Sequence, residues 1–320
     1  MQRRFFKGFA ALAALAAMSA PASGQPVPAE RDFLALSTLD ARVATVGHRL
    51  AVAALDLCRL RQWRHGFVFL DLAQVAPAYR EAANRAFGAA DGLGVTAIVA
   101  DGPAARSGLR VGDVILSLDG RAPPALEPRS RPEQRFAAIA ALVESAFVDG
   151  RASVELLRGG ARVTLAVEAA QGCASSFQIV REGGRVARAD GRNVQITLRL
   201  VEYAADDAEL AAVIAHEFAH NILRHRERLR ARDRRPSVRE TEVEADRLSV
   251  YLMERAGYDP EAAVRFWTRF GPHPLNFLRS GDHPGWRQRV ATLQAEIAAI
   301  RDARAAGRIP VPSFMTLVPV

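Results

Sequence analysis

Leu210-Ala211-Ala212-Val213-Ile214-Ala215-His216-Glu217-Phe218-Ala219-His220 is the stretch on which the reading of this chain turns. Neither glycine nor proline occurs from Ala204 to Arg235, so the sequence predicts one long helix through it. On a helix His216 and His220, four apart, share one face a turn from each other. Two imidazoles so placed can hold one zinc ion, and Glu217, beside the first, can act as general base on a water at that ion. A chance match to this pattern in a chain of 320 residues has odds on the order of one in a hundred.

Such a centre needs a third protein ligand and an open position. His225 follows His220 by five residues with no glycine to turn the chain, and its expected place is a helix cap or a solvent-facing side. Glu240-Thr241-Glu242-Val243-Glu244-Ala245-Asp246 opens a second helix running to about Ala256. Glu242 and Asp246 share a face there. Glu242 can coordinate the metal while Asp246 bonds the outer N–H of a ligating histidine. The plainer alternative is a solvated acidic helix start, since acids suit a first turn.

Taken in order, His216-Glu217-Phe218-Ala219-His220, Glu242-Val243-Glu244-Ala245-Asp246, Ala256-Gly257-Tyr258-Asp259-Pro260, and His283-Pro284 followed by Arg289 resemble the HtpX-like zinc metallopeptidases, the family that includes the CaaX prenyl proteases. The resemblance covers about residues 172–304. It implies a mainly helical zincin-type peptidase domain holding one Zn2+ per chain on His216, His220 and Glu242. Glu217 is then the base and Asp246 the supporting acid. His283 either steadies the tetrahedral oxyanion, caps the open metal position at rest, or is structural. Arg289 either belongs to that motif or covers the core with its stem.

A different texture precedes this block. Gly92-Leu93-Gly94-Val95 leads into an apolar strand, and Gly108-Leu109-Arg110-Val111-Gly112-Asp113-Val114-Ile115-Leu116 follows. Glu133 to Phe147 has helical spacing, and two alternating strands, Ser153–Leu157 and Arg162–Val167, meet at Gly159-Gly160. About residues 88–170 resemble a bacterial PDZ domain. Such a domain binds an extended peptide, with Gly92, Leu93, Gly94 and Val95 as the expected peptide-binding residues on an open strand edge.

The N-terminus has the layout of a secretory signal peptide. Arg3, Arg4 and Lys7 precede an apolar run from Phe9 to Met18, and Ala20-Pro21-Ala22 follows. The run is shorter than the roughly 20 residues of a membrane span. Export into an oxidising compartment favours a bridge between Cys58 and Cys173, the two cysteines of the chain. The resemblance places this in the periplasm of a Gram-negative bacterium.

The expected fold class is therefore α+β: the helical peptidase domain with a small antiparallel sheet, plus a β-rich PDZ domain. The expected divisions are 1–24 signal peptide, 25–87 N-terminal helical segment packing on the peptidase domain, 88–170 PDZ, 171–310 peptidase, and 311–320 tail. Phe177–Val180, Arg185–Ala189 and Val194–Val201 read as the small sheet, with Arg185–Ala189 as a substrate-holding edge. The expected activity is hydrolysis of peptide bonds in envelope or misfolded proteins, with unfolded polypeptides as substrates and the PDZ domain taking chain ends. A non-enzymatic PDZ scaffold or holdase is the alternative.

Formal net charge is +8, and Lys7 is the only lysine among 43 basic residues. A nucleic-acid binder would mix Lys with Arg beside exposed aromatics, so no nucleic-acid partner is expected. No later segment is long and apolar enough for a transmembrane span. The Arg224 to Arg235 run, rich in arginine, reads as a solvated helix end, with peripheral contact to anionic lipid or an acidic substrate as the other reading.

Overall fold

The computed structural model describes residues 30–90, 92–125, 131–180, 182–233, 235–272 and 284–317. The expected signal peptide and His283 lie outside them. The fold is α+β, as the sequence predicts, and divides into two compact units. One takes residues up to 45, 63–171 and 178–181; the other takes 46–62, 172–177 and 182–320.

The first unit is built on a five-stranded antiparallel sheet. Its strands are β2 (Phe67–Leu70), β3 (Leu93–Ile98), β4 (Val114–Leu118), β5 (Arg151–Arg158) and β6 (Ala161–Glu168), in that spatial order. Beside it lie α2 (Arg80–Phe87), the single turn α3 (Pro103–Arg106) and α4 (Pro132–Ala146). Leu93, Val95, Ile115, Leu118, Val154 and Leu156 alternate inward with Ile139, Val143 and Phe147, giving one apolar core. Asp71 accepts the backbone N–H of Ala73 and also takes Arg135 at 3.0 Å, which ties α4 to the chain after β2.

Two details differ from the sequence reading. β2 arises within the segment expected to be helical. Phe67-Val68-Phe69-Leu70 is four residues long, too short a run for periodicity to decide. It has a second consequence: β3, the strand expected to offer an open edge at Gly92–Val95, is paired on both sides. Phe69 and Leu70 oppose Val95 and Gly94 from one flank, and Ile115 and Val114 oppose Leu93 and Gly94 from the other. A Cβ on Gly92 would lie 2.2 Å from the Ile115 carbonyl oxygen, so the glycine permits a close approach of chains within the sheet. The peptide-binding assignment to Gly92, Leu93, Gly94 and Val95 is corrected accordingly. The sheet's outer strands are β2 and β6.

A three-stranded sheet comprises β8 (Ser176–Val180), of which Ser176 and Phe177 belong to the second unit, β10 (Asn193–Thr197) and β9 (Ala187–Ala189) in that order, with β9 at an edge and antiparallel to β10. The expected strand Val194–Val201 ends early, because its last residues enter helix α5 (Leu198–Tyr203). Among the described residues there follow α6 (Asp207–Ile222), α7 (His225–Arg228), α8 (Val238–Arg255), α9 (Glu261–Phe270) and α10 (Trp286–Ala305). α6 packs against α8 and α9, and α10 against α8 and α9. Cys58 and Cys173 form a disulfide, with their Cα atoms 5.8 Å apart. Among the described residues, no helix is long and apolar enough to cross a membrane.

Candidate metal centre

In place of the long helix expected from Ala204 to Arg235, the described residues there form two helices, α6 and α7. Asp206 caps α6 by accepting the N–H of Glu209 at 2.8 Å. At the other end Arg224 adopts φ +55°, a left-handed conformation that costs a side-chain-bearing residue about 1–2 kcal/mol. The chain turns there without a glycine. α8 opens on a capping box, in which Ser237 and Glu240 satisfy each other's backbone N–H groups.

These caps fix where the chemistry falls. His216 and His220 project from α6, and Glu242 from α8. Ligand atoms of the three lie within 4.8 Å of one another, with His216 and Glu242 buried and His220 nearly so. Glu242 is 3.4 Å from Nε2 of each histidine, and the two Nε2 atoms are 3.3 Å apart. Both imidazoles thus turn Nε2 to a shared point and Nδ1 away from it.

Each outer Nδ1 has a partner. Asp246, one turn beyond Glu242, lies 3.0 Å from Nδ1 of His216. Arg289 clamps Asp246 from α10, with Nη2 2.5 Å from Oδ1 and Nε 3.0 Å from Oδ2. The guanidinium stacks on Trp267, 3.6 Å from the ring centroid. Asp246 and Arg289 are both buried, so each charge depends on the other. Nδ1 of His220 meets Nδ1 of His225 at 2.8 Å. His225, expected to cap a helix or face solvent, is 1% exposed. The break at Arg224 is the reason: in an unbroken helix a residue five further on sits about 140° around the axis.

The electrostatics follow this geometry. Burial and the Arg289 charge press the His216 imidazolium to deprotonate, but Asp246 and Glu242 outweigh them and raise its pKa to about 9. His220 is pushed down to about 3, by burial first and then by the neighbouring His216 charge. Burial acts to raise Asp246, yet Arg289 and His216 hold it below the usual carboxylate range. Glu244 is drawn down to about 2, first by its hydrogen bond with His225 and then by Arg228 against the opposing effect of burial.

The donor set fits zinc: two imidazoles and one carboxylate converge, and His216, His220 and Glu242 would hold the ion. Both imidazoles would bind it in their neutral form. A cleft with a volume of about 1030 Å³ lies here, and Glu217 lines it beside His216 and His220. Its lining includes the edge strand β9 and the apolar side chains of Phe266, Trp267, Phe270 and Trp286. Among the arginines of the Arg224–Arg235 run, Arg226 lines this cleft and donates to the Asp190 carbonyl at 2.5 Å.

Against known proteins, residues 186–234 and 228–297 match the family model of Peptidase family M48, and residues 94–136 match that of the PDZ domain. Mitochondrial metalloendopeptidase OMA1 of Saccharomyces cerevisiae is 24% identical over an alignment covering 32% of this chain and 40% of that protein. The chain thus matches less than half the length of that relative. These similarities reach the M48 family but not the HtpX-like branch within it. They support a metallopeptidase region of Peptidase family M48 in the C-terminal half of the chain, joined to a PDZ domain.

Proposed function

We propose that the chain is a zinc-dependent endopeptidase acting on extended or unfolded polypeptide. The observation that carries this reading is the convergence of His216, His220 and Glu242 at a cleft that Glu217 also lines. Zinc, when bound, supplies Lewis acidity toward a scissile carbonyl and makes a water more acidic. Glu217 accepts the proton of the attacking water at its carboxylate and passes it to the leaving amine. Asp246 receives the Nδ1 proton of His216 in a hydrogen bond and so keeps Nε2 turned inward. Arg289 keeps Asp246 ionised. β9 offers unpaired main-chain groups along its outer edge, to which an extended substrate adds as a further strand. The aromatic lining then takes an apolar side chain of that substrate.

The unit that matches the PDZ domain supports a role in holding polypeptide chain ends, at an outer strand other than β3. An exported, periplasmic setting agrees with the Cys58–Cys173 bridge. It also agrees with the signal-like sequence of residues 1–24. His283 remains in this proposal as a group that either steadies the oxyanion or caps the metal.

The test is hydrolysis of an unfolded polypeptide by the purified chain. Activity should vanish with a chelator and return with added zinc. Binding of the polypeptide without cleavage, in a protein shown to carry one zinc per chain, would favour the scaffold or holdase instead.

A further inference from the structure

His225 has no part in the mechanism above, yet it is buried as deeply as the ligands themselves. Its two ring nitrogens are both engaged: Nδ1 faces Nδ1 of His220 at 2.8 Å, and Nε2 faces Oε2 of Glu244 at 2.9 Å. Glu244 is in turn gripped by Arg228, whose Nη1 lies 2.5 Å from Oε2 and Nη2 3.1 Å from Oε1. The left-handed turn at Arg224 brings His225 back over His220, and α8 supplies Glu244 from the turn between Glu242 and Asp246.

We propose that His225 is a positioning residue for the metal site, a hydrogen-bond acceptor that fixes the tautomer and orientation of His220 and is itself fixed by Glu244 and Arg228. The inference rests on the metal reading above and extends it to residues outside the ligand set.

The hydrogen bonds permit one direction. A metal on Nε2 of His220 leaves the proton on Nδ1, which donates to Nδ1 of His225. His225 must then carry its own proton on Nε2, where Glu244, whose ionised carboxylate can accept but not donate, receives it. Arg228 supplies the charge that keeps Glu244 ionised. His216 has the same arrangement with fewer links: its Nδ1 meets Asp246, and Asp246 meets Arg289. Both histidines are thus backed by a carboxylate clamped by an arginine, His216 directly and His220 through one intervening imidazole. A core histidine that merely fills space would not need its acceptor nitrogen aimed at a ligand, nor its donor nitrogen aimed at a carboxylate shared with an arginine.

The test compares wild type, His225→Leu, His225→Asn and Glu244→Gln as full-length chains. Zinc affinity is read by competition with a chromophoric chelator, and the cobalt-substituted forms by visible absorption. Circular dichroism of the metal-free proteins reports folding. Leucine fills the space and accepts nothing, so zinc affinity should fall about 10–100-fold with native dichroism, and the cobalt bands should shift. Asparagine carries its oxygen at the position of the lost Nδ1, and should recover most of the affinity. Glu244→Gln, which loosens the far end, should weaken zinc about tenfold. A folded His225→Leu protein binding zinc as tightly as wild type, or an asparagine variant no better than leucine, overturns the proposal. If the leucine variant does not fold, unchanged zinc affinity in Glu244→Gln overturns it instead. Failure of wild type to take up zinc at all is distinct, and refutes the metal reading on which this one rests.

Discussion

His216, His220, Glu242 and Asp246 were legible because each pair is four apart on a helix, and period alone puts such pairs on one face. Their meeting across α6 and α8 is tertiary, and the sequence pointed to it only through the histidine pair's need of a third ligand and through the motif resemblance. Replacing either His216 or His220 with alanine should abolish stoichiometric zinc by elemental analysis, because two remaining donors make a poor site. Arg289 was visible in the sequence, but its partner was not. Changing it to methionine keeps an unbranched apolar side chain, removes the guanidinium from the Trp267 ring and strands the buried Asp246 charge. The variant should lose about 3–5 kcal/mol in urea unfolding of the metal-free protein, whereas a solvent-facing arginine would cost little. His225 and Glu244 were illegible as site residues because their role depends on one residue, Arg224, taking a left-handed conformation that nothing in its side chain announces.

The metal helix is seated by an aromatic contact with strand β8, whose ring lies in turn against a helix far away in the sequence. α1 (Glu30–Ala53) carries Gly47, where an added Cβ would fall 2.3 Å from the Phe177 ring. Phe177 meets Phe218 of α6 edge-on, 5.3 Å between centroids. Gly47→Ala should therefore destabilise by about 1–3 kcal/mol in thermal unfolding, although alanine is the better helix former. The same helix holds a pH-dependent weakness. Asp40 is buried, and burial raises its pKa from 3.8 to about 7. The folded chain then binds more protons than the unfolded chain between those values, so stability declines as pH rises from about 4 to 7 and levels off above. Asp40→Asn removes that slope and should gain on the order of 2–4 kcal/mol at pH 8 but little at pH 4, as read by urea unfolding at each pH. The helical period of α1 is plain in the sequence, with Phe33, Leu36, Leu39, Val43, Val46 and Leu50 recurring at three and four. The short strand β2 is harder, since four residues carry too little pattern to separate strand from loop, whereas β9 falls within the edge strand expected at Arg185–Ala189.

At the level of the chain, the Cys58–Cys173 bridge spans a sequence separation of 115, and residues 63–171 of the first unit lie within the loop it closes. In the chain-entropy view a loop of that length stabilises by about 4–5 kcal/mol, so a Cys58→Ser, Cys173→Ser double variant should unfold at clearly lower urea. The change of texture at Gly92 falls inside the stretch 63–171 of the first unit, because the short strand β2 joins the sheet ahead of it. The account as a whole stands on Glu217 acting as a proton acceptor beside a filled metal site. Glu217→Gln keeps the side-chain shape and leaves His216, His220 and Glu242 untouched. The decisive measurement is the rate at which zinc-loaded wild type and Glu217→Gln cleave the same unfolded polypeptide, with zinc content determined on both samples. The account predicts equal zinc and a rate lower by about 10²–10⁴-fold in the variant. Equal zinc with an undiminished rate would contradict it.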